Sequence, residues 1–442
     1  MLATLRFWFR LTIAFIVRFR GILFMGVVFG FFIFIGLTFL FPLLTQSKTE
    51  YIGMTGRYTT EDLPEEVIRL IGNGLTKIDK DGKVVLDLAK EIEEKEKGKI
   101  WIFRLRDDIY WHDGTKVDSK TINYSFPDVT VTKLDEKTIM FELKNPFSAF
   151  GSVVSRPIFS RGLLGTGEWR VKKLTTNGAY VERITLQNNQ KQKKEFRFFP
   201  NEERTKFAFK YGQIDYILDL INPSPLEKWN TAVLTADIRK DRFVGIFLNN
   251  SDPTIGDNKS LRQALSYAID KDGLMEERVI SPIHPDSWVY NPQVKRYDYD
   301  PEHARELLRD VPKGILDGLN IQLVTIPVLL ETAEKVAKYW EEIGVKSIVK
   351  VSSNLPDEYQ ALLVIYDIPK DPDQYSIWHS TQSETNISKY SNPRIDKLLE
   401  DGRLETDEQQ RKKIYLDFQR FLLEDAPVIM LYHPVSYQVE RK

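Results

Sequence analysis

The chain has 442 residues, of which 42% are hydrophobic and 28% are charged, and its formal net charge at pH 7 is −1. This composition indicates a globular protein of two or three domains and excludes a disordered or fibrous chain; the lack of a basic balance also argues against nucleic-acid binding. Because the chain has no cysteine, disulfides, thiolate metal sites, a thiol nucleophile and a lipid-modified N-terminal cysteine are excluded.

The first 46 residues are predicted to contain a membrane anchor. Residues 21–44 form an uncharged run, GILFMGVVFGFFIFIGLTFLFPLL. As a helix this run would span about 36 Å, enough for a hydrocarbon core of ~30 Å. Four arginines precede it: Arg6, Arg10, Arg18 and Arg20. The positive-inside rule then places the N-terminus in the cytoplasm and the chain from Lys48 onward outside the cell.

A cleaved signal peptide is the alternative for this segment. The apolar run is longer than a usual signal-peptide core, and no A-x-A-like cleavage site follows Leu44, so the sequence favours an uncleaved anchor. The preceding stretch FWFRLTIAFIVRFR mixes aromatic residues with arginine, a pattern typical of a helix lying in the membrane interface.

Beyond Gln46 short strands and amphipathic helices alternate, which predicts an α/β fold. The strand candidates are WIFRLR from Trp101, TIMFEL from Thr138, GIFLN from Gly245, IQLVTI from Ile321, ALLVIY from Ala361 and VIMLY from Val428.

Two helices are predicted from apolar stripes at helical spacing. One stripe comprises Leu261, Ala264, Leu265, Ala268 and Ile269, and the other comprises Ala333, Val336, Ala337, Trp340 and Ile343. Gly344 is expected to end the second helix. The order of strand, helix and strand from Ile321 predicts at least one parallel crossover.

Motifs for catalysis and metal binding are missing. The chain contains no G-x-x-x-x-G-K-[ST], H-E-x-x-H or G-x-S-x-G sequence, and its five histidines show no ligand spacing, so we expect no enzyme, no cofactor and no metal site. The pair His112-Asp113 could be imagined as part of a triad, but Asp113-Gly114 is a common turn signal and favours a turn after a strand.

A series of blocks in fixed order carries a resemblance to a known family. The blocks include FRLRDDIYWHDGT from Phe103, GTGEWRV from Gly165, EERTKFAFKYGQIDYI from Glu202, LNNSDPTIGDNKSLRQALSYAIDKDGL from Leu248, YDYDPEHARELL from Tyr297, DPDQYSIWHS from Asp371, YSNPRIDKLLE from Tyr390 and APVIMLYH from Ala426. In this order they resemble bacterial extracellular solute-binding proteins of family 5, which serve peptide and nickel ABC transporters. The resemblance covers nearly the whole chain beyond the anchor.

The resemblance implies a two-lobe α/β fold of the periplasmic-binding-protein type, class II and cluster C, with ligand enclosed between lobes joined by a two-strand hinge. The strands near Gly245 and Val428 match that hinge. The expected domains are therefore residues 1–46 as interfacial segment and anchor, 47–245 with the returning 428–442 as lobe I, and 246–427 as lobe II.

Two departures from the family pattern bear on lobe I. The chain is shorter than the pattern between Phe126 and Gly165, which predicts a first lobe with one subdomain reduced or absent. After Asn189 the family's aromatic N-P-x-Y-W-G segment is also missing, and KQKKEFRFFP stands in its place.

The resemblance also implies a binding site. In peptide-binding members an aspartate after a strand of the second lobe receives the α-ammonium group of the ligand, and Asp367 matches it here; the alternative is that Asp367 only caps a turn before Pro369. Tyr366, Trp111 and Trp378 are candidates for the aromatic wall of the cleft, with burial in a core as the alternative for each.

The leading hypothesis is a single-pass membrane protein with its bulk outside the cytoplasm, which captures an oligopeptide or similar solute and delivers it to an ABC transporter permease. The alternative is a scaffold or sensor that retains the fold but no longer binds ligand; the shortened first lobe and the tether in place of a lipid motivate it. An extracytoplasmic hydrolase would need a positioned nucleophile and base, and the sequence offers neither.

Overall fold

The computed structural model describes residues 8–9, 13–15, 17–44, 49–79, 81–126, 128–274, 277–352, 356 and 358–442. Its strands, in chain order, are β1 (Thr49–Thr55), β2 (Thr76–Ile78), β3 (Val84–Leu86), β4 (Ala89–Lys95), β5 (Ile100–Leu105), β6 (Val129–Lys133), β7 (Thr138–Leu143), β8 (Arg170–Asn177), β9 (Tyr180–Gln187), β10 (Lys193–Phe199), β11 (Tyr216–Leu220), β12 (Ala232–Ile238), β13 (Arg242–Leu248), β14 (Asn320–Thr325), β15 (Lys346–Val351), β16 (Ala361–Asp367), β17 (Val428–Tyr432) and β18 (Val435–Arg441).

The α-helices lie at Arg20–Leu44, Glu65–Ile71, Phe150–Val153, Glu202–Lys210, Pro253–Gly256, Lys259–Tyr267, Pro301–Arg309, Lys313–Leu316, Leu330–Glu342, Tyr375–Trp378, Pro393–Leu404 and Glu408–Asp425. Several have side-chain N-caps, which satisfy amide groups of the first helical turn. Asn392 accepts a hydrogen bond from the amide of Arg394, and Asp407 accepts one from the amide of Gln410.

The N-terminal helix Arg20–Leu44 covers the predicted anchor. Among the side chains that the structure describes, no helix carries an apolar stretch of the length needed to cross a bilayer. The predicted transmembrane helix and the orientation drawn from it therefore stay predictions.

The first lobe is built on a seven-stranded mixed sheet in the order β12-β18-β11-β1-β10-β9-β8. Strand β1 runs parallel to both of its neighbours, β10 and β11. The centre of β1 is buried, with Ile52 and Met54 in one hydrophobic cluster that also includes Ile184 and Phe196. The helix Glu202–Lys210 packs on β1, β10 and β11, so the sheet has an α/β core on this face.

A four-stranded antiparallel sheet, in the order β4-β5-β7-β6, forms a subdomain of the first lobe. It has a hydrophobic core of its own, in which Phe103, Phe141 and Phe150 are buried with ring centroids 5.1–6.5 Å apart. Strands β6 and β7 lie in the stretch between Phe126 and Gly165 that is predicted to be shortened, and the reduction of the first lobe stays a prediction.

The second lobe is built on a five-stranded sheet in the order β15-β14-β16-β13-β17. Strand β14 is parallel to β15 and β16, which confirms the predicted crossover through the helix Leu330–Glu342. Both predicted apolar stripes pack in the core of this lobe, with Leu265 and Trp340 fully buried. Gly344 has φ +87° directly after the second helix, a left-handed conformation that glycine adopts without strain.

The chain crosses between the lobes twice, once from β12 to β13 through residues 239–241 and once from β17 to β18 through residues 433–434. The predicted boundaries at 245/246 and 427/428 are wrong by part of a strand. Strands β13 and β17 pair with each other in the second sheet, with Gly245 opposite Met430, and β17 is buried along its whole length. Because these buried apolar residues belong to the second core, only residues from Val435 onward return to the first sheet.

Candidate functional site

A cavity of about 590 Å³ lies between the two lobes. The first lobe contributes the loop and helix start at residues 58–69, residues 152–157 and Asp219; the second contributes Arg242 and residues 367–370. The crossing residues Arg239 and Asp241 also line it. Because both lobes and the hinge form the walls, a change in the angle between the lobes changes the shape of this cavity.

A second cavity, of about 760 Å³, lies entirely in the first lobe. It shares Ile68, Arg156 and Pro157 with the cavity between the lobes, so the two spaces meet at these residues. The smaller cavity is the candidate ligand site because it alone of the two is formed by both lobes.

Asp367 is placed on the cavity wall by the end of β16. The first three residues of this strand are buried and its last residue is exposed, so the chain leaves the second core where Asp367 begins the turn toward Pro369. The amide of Ile368 donates to the carbonyl of Asp241 at 2.7 Å, which ties this turn to the hinge. The side chain of Asp367 is 85% exposed, so its carboxylate is accessible from the cavity.

Arg242, at the start of β13, lies beside Asp367 in strand register. Its Nε is 3.0 Å from Oδ1 of Asp367, and its Nη1 donates to Oδ2 of Asp219 at 2.6 Å. The guanidinium group therefore connects a carboxylate of the second lobe with a carboxylate of the first.

Asp219 is held in an unusual backbone conformation. Its φ is +57°, and the pairing of β11 with β18 shifts register between Ile217 and Leu220. Such an irregularity re-aims a side chain at the edge of a site. The second oxygen of the carboxylate, Oδ1, accepts from Nη1 of Arg239 at 2.8 Å.

The charges in this network stabilise one another. Burial opposes the charge on Arg242, but the carboxylate of Asp219 outweighs burial and raises the pKa of this arginine. Burial likewise disfavours the Asp241 carboxylate, but the bidentate pair with Arg239, at 2.9 and 2.7 Å, lowers the pKa of Asp241 below its ordinary value. Arg242 and Asp241 are therefore charged at neutral pH.

A separate ion pair joins the lobes at the cavity wall. Nζ of Lys370 lies 2.5 Å from Oε1 of Glu65, which also pairs with Arg69. Burial raises the pKa of Glu65, but the hydrogen bonds from Lys370 and Arg69 outweigh it and the net shift is downward. Both partners of the pair between the lobes are about half exposed, so salt screens their attraction.

Arg156 is the cation that both cavities share. Its Nη2 donates to the carbonyl of Glu61 at 2.6 Å, and within the described ranges it forms no ion pair with a carboxylate. A guanidinium group with free donors at a cavity wall can hold a carboxylate through paired hydrogen bonds.

The three predicted aromatic residues do not line the cavity between the lobes. Trp111 is 2% exposed in the core of the four-stranded subdomain, and its Nε1 donates to Thr121 at 3.0 Å. Trp378 is 1% exposed in the second lobe, and its Nε1 donates to Gln374 at 3.0 Å. Because both indoles are buried and hydrogen-bonded inside a lobe, their assignment to the cleft wall is wrong.

Tyr366 is half-buried and packs against Phe243 and Phe247, with ring centroids 5.8 and 5.1 Å away. It points to the opposite face of β16 from its neighbour Asp367, as alternation along a strand requires. Tyr58 does line the cavity, and its hydroxyl donates to the carbonyl of Thr55 at 2.9 Å.

The turn predicted at Asp113-Gly114 is confirmed. Oδ1 of Asp113 accepts from the amide of Thr115 at 3.0 Å, and Gly114 has φ +86°. His112 bonds through Nε2 to the carbonyl of Gly167 at 2.8 Å, and burial lowers its pKa. Across the described part of the chain, no group of His, Asp and Glu side chains is arranged to hold a metal ion.

Sequence reasoning missed most of the charged network, namely Asp219, Arg239, Arg242, Glu65 and Lys370. A partial signal existed: charged residues cluster at 239–242, where the buried strand β13 begins. The partners could not be assigned because Asp219, Arg242 and Asp367 are far apart in sequence.

Comparison with known proteins places the chain in a family. The model of bacterial extracellular solute-binding proteins, family 5 Middle, matches residues 83–386. The oligopeptide-binding protein AppA of Bacillus subtilis is 24% identical, with 86% of this chain and 84% of that protein covered. The dipeptide-binding protein of Escherichia coli is 24% identical, with 81% and 83% covered.

Solved structures show the same two-lobe fold. NikZ from Campylobacter jejuni in complex with Ni(L-His) superposes with a TM-score of 0.74 at 22% identity, covering 89% of this chain and 94% of that one. DppA from Helicobacter pylori in complex with the peptide STSA superposes with a TM-score of 0.69 at 19% identity, covering 90% and 94%. The family consists of substrate-binding proteins of ABC transporters, which are not enzymes. The chain therefore belongs to the bacterial extracellular solute-binding proteins of family 5.

Proposed function

We propose that this chain captures a peptide or a similar amine-bearing solute between its two lobes and delivers it to the permease of an ABC importer. The observation that carries the proposal is the cavity between the lobes with the accessible carboxylate of Asp367 on its wall. A volume of about 590 Å³ is within the usual range of small-molecule sites, about 300–1,000 Å³.

The cavity offers complementary groups for the two ends of a zwitterionic solute. Asp367 can accept hydrogen bonds from an ammonium group, and Arg156 can donate to a carboxylate. Charge-assisted hydrogen bonds of this kind are stronger than neutral ones and gain strength as the lobes exclude water. The similarity to an oligopeptide-binding and a dipeptide-binding protein supports a peptide as the solute.

Hinge closure is the step that would present a loaded protein to the permease. The two crossings at residues 239–241 and 433–434 are short, so a change in their dihedral angles rotates one lobe against the other. Binding is the whole task, and no reacting group is required.

The proposal includes a membrane tether formed by residues 21–44, with the bulk of the chain outside the cytoplasm. It is supported by the uncharged run and the four arginines that precede it. A reporter enzyme that is active only outside the cytoplasm, fused after Lys442, tests this topology. We expect the fusion to be active. An inactive fusion, together with activity of a reporter that works only in the cytosol, would contradict the proposed topology.

A second candidate function is a scaffold or sensor that retains the fold without binding solute. One observation favours it: Asp219 and Asp367 already have Arg242 as a partner within the chain. A site whose charges are satisfied internally needs no ligand to complete it.

Calorimetric titration of the full chain in detergent with a defined pool of tripeptides to nonapeptides separates the two functions. We expect binding by the wild type and at least a tenfold loss in Asp367→Asn. Asp317→Asn is the matched control, since Asp317 is exposed and outside the cavity, and it should bind as the wild type does. No heat of binding with any peptide would favour the scaffold, and equal affinity in Asp367→Asn would remove this residue from the site.

A further inference from the structure

Arg242 occupies the position between two carboxylates of different lobes. Asp219 comes from β11 of the first sheet and Asp367 from β16 of the second, and the guanidinium group reaches both. Its side chain is 22% exposed and those of Asp219 and Asp367 are 24% and 85% exposed. One cation of the chain therefore fills a site to which both lobes contribute an anion.

The two ends of this bridge are unequal. Toward Asp219 the contact is a hydrogen bond of 2.6 Å from Nη1. Toward Asp367 the atoms are 3.0 Å apart, yet the buried Nε of Arg242 has no hydrogen-bond partner among the described residues. The contact with Asp367 is therefore an ion pair without the alignment of a hydrogen bond, and it is the weaker of the two.

The other oxygen of Asp219 is bound by Arg239, which is itself held by Asp241. Asp219 thus keeps a partner whether or not Arg242 moves. Asp367 forms no other ion pair in the described ranges, so its carboxylate is the one that a movement of Arg242 releases.

We propose that Arg242 is the chain's own occupant of the carboxylate pair formed by Asp219 and Asp367, and that an incoming solute amine displaces it from Asp367. This deepens and rests on the proposed function. A well-aligned ammonium replaces a poorly aligned guanidinium, so Arg242 sets the affinity that an amine must exceed. Arg242 is in this sense a specificity-determining residue, which discriminates against weakly bound cations while the site is empty.

Chemical replacement of the side chain tests the proposal with a probe of known structure. Ethylguanidinium, which reproduces the head group of arginine, is titrated by calorimetry into the full chain in detergent. Arg242→Ala should bind it at least tenfold more tightly than the wild type. The double variant Arg242→Ala/Asp367→Asn should lose at least tenfold of that affinity. Arg305→Ala is the matched control, since Arg305 is ion-paired with Glu302 outside the cavity, and it should bind the probe as weakly as the wild type does.

Equal binding by the wild type and Arg242→Ala would overturn the proposal, as would binding that survives in the double variant. If Arg242→Ala does not fold, Arg242→Met, which keeps an extended side chain without charge, undergoes the same titration. Folding of either variant only in the presence of the probe would support the proposal, and failure of both to fold with the probe present would overturn it. Because ethylguanidinium binding does not depend on the natural solute, this result is independent of the peptide titration above.

Discussion

Two contacts between the lobes differ in their chemistry. At the cavity contact, formed by Glu65 with Lys370 and by Asp219 with Arg242, every bond is an ion pair. At the subdomain contact, Ser148 of the first lobe donates from its amide to the carbonyl of Arg403 at 2.7 Å and from its hydroxyl to the carbonyl of Gly402 at 3.1 Å.

The difference indicates what each contact can do. Ion pairs near solvent respond to salt, to pH and to competing charged groups, so a solute can take the place of a partner at the cavity contact. The hydrogen bonds of Ser148 are accepted by backbone carbonyls, which carry no charge and do not titrate, so these bonds should not respond to a charged solute. The exposed ion pair of Lys83 with Glu408, 3.4 Å apart, also joins the lobes beside Ser148 and should be screened by salt. The guanidinium of Arg403 also lies 5.0 Å from the ring of Phe147, which adds a cation–π attraction there.

The largest effect is expected from Asp219→Ala. The substitution leaves Arg242 with only its poorly aligned contact to Asp367 and removes one of the partners of Arg239. We expect the free energy of unfolding, measured by urea denaturation, to fall by about 2 kcal/mol, since a hydrogen bond to a charged group contributes about 1.5–3 kcal/mol. Asp317→Ala should change it by less than about 0.5 kcal/mol, and equal losses in the two variants would contradict a structural role for the network.

A smaller effect is expected from Ser148→Ala at the subdomain contact. The variant loses the hydrogen bond to Gly402, whose carbonyl still accepts from Arg411. We expect a loss of about 1 kcal/mol, the same within error at 0.01 M and 1 M salt. A loss that disappears at high salt would show that the contact is electrostatic.

Lys370→Met should lose stability in a salt-dependent way, unlike Ser148→Ala. The ion pair with Glu65 is about half exposed, so its removal should cost about 0.5 kcal/mol at low ionic strength. At 1 M salt the Debye length is about 3 Å, and the difference between variant and wild type should vanish. Urea denaturation at both salt concentrations checks this, and a cost that persists at 1 M salt would count against it.

The smallest effect is a dependence on pH at the same contact. Because the folded-state pKa of Glu65 is lowered, its stabilisation is fully present above the ordinary pKa of glutamate, about 4.3. It is lost as the pH falls through the lower folded value. The difference in stability between wild type and Glu65→Gln should therefore narrow as the pH falls below about 4.3. A difference that widens on acidification would mean that the sign of the shift is wrong.

The sequence predicted the elements of the second lobe well and the contacts between lobes poorly. The stripes ending at Ile269 and Ile343 predicted helices because apolar spacing reports directly on one buried face. The hinge boundaries were misplaced because a buried strand such as Val428–Tyr432 has the same apolar sequence pattern whichever of the two sheets it joins.

Asp367 was predicted to bind ligand through a family resemblance; its side chain is exposed on the cavity wall, and its role in binding stays a prediction. Trp111 and Trp378 were misassigned because an aromatic residue looks the same in sequence whether it lines a cleft or fills a core. The bridge through Arg242 could not be predicted, because it depends on a backbone irregularity at Asp219 and on the angle between two lobes.

Photo-cross-linking tests the central claim, that a solute lies between the lobes, most directly. A peptide that binds in the calorimetric titration is resynthesised with p-benzoylphenylalanine, irradiated with the full chain, and its adducts are mapped by mass spectrometry. We predict adducts in residues 54–69 of the first lobe and in residues 367–370 of the second, with excess unlabelled peptide abolishing both. Adducts confined to one lobe, or to surfaces outside the cavity, would contradict the account.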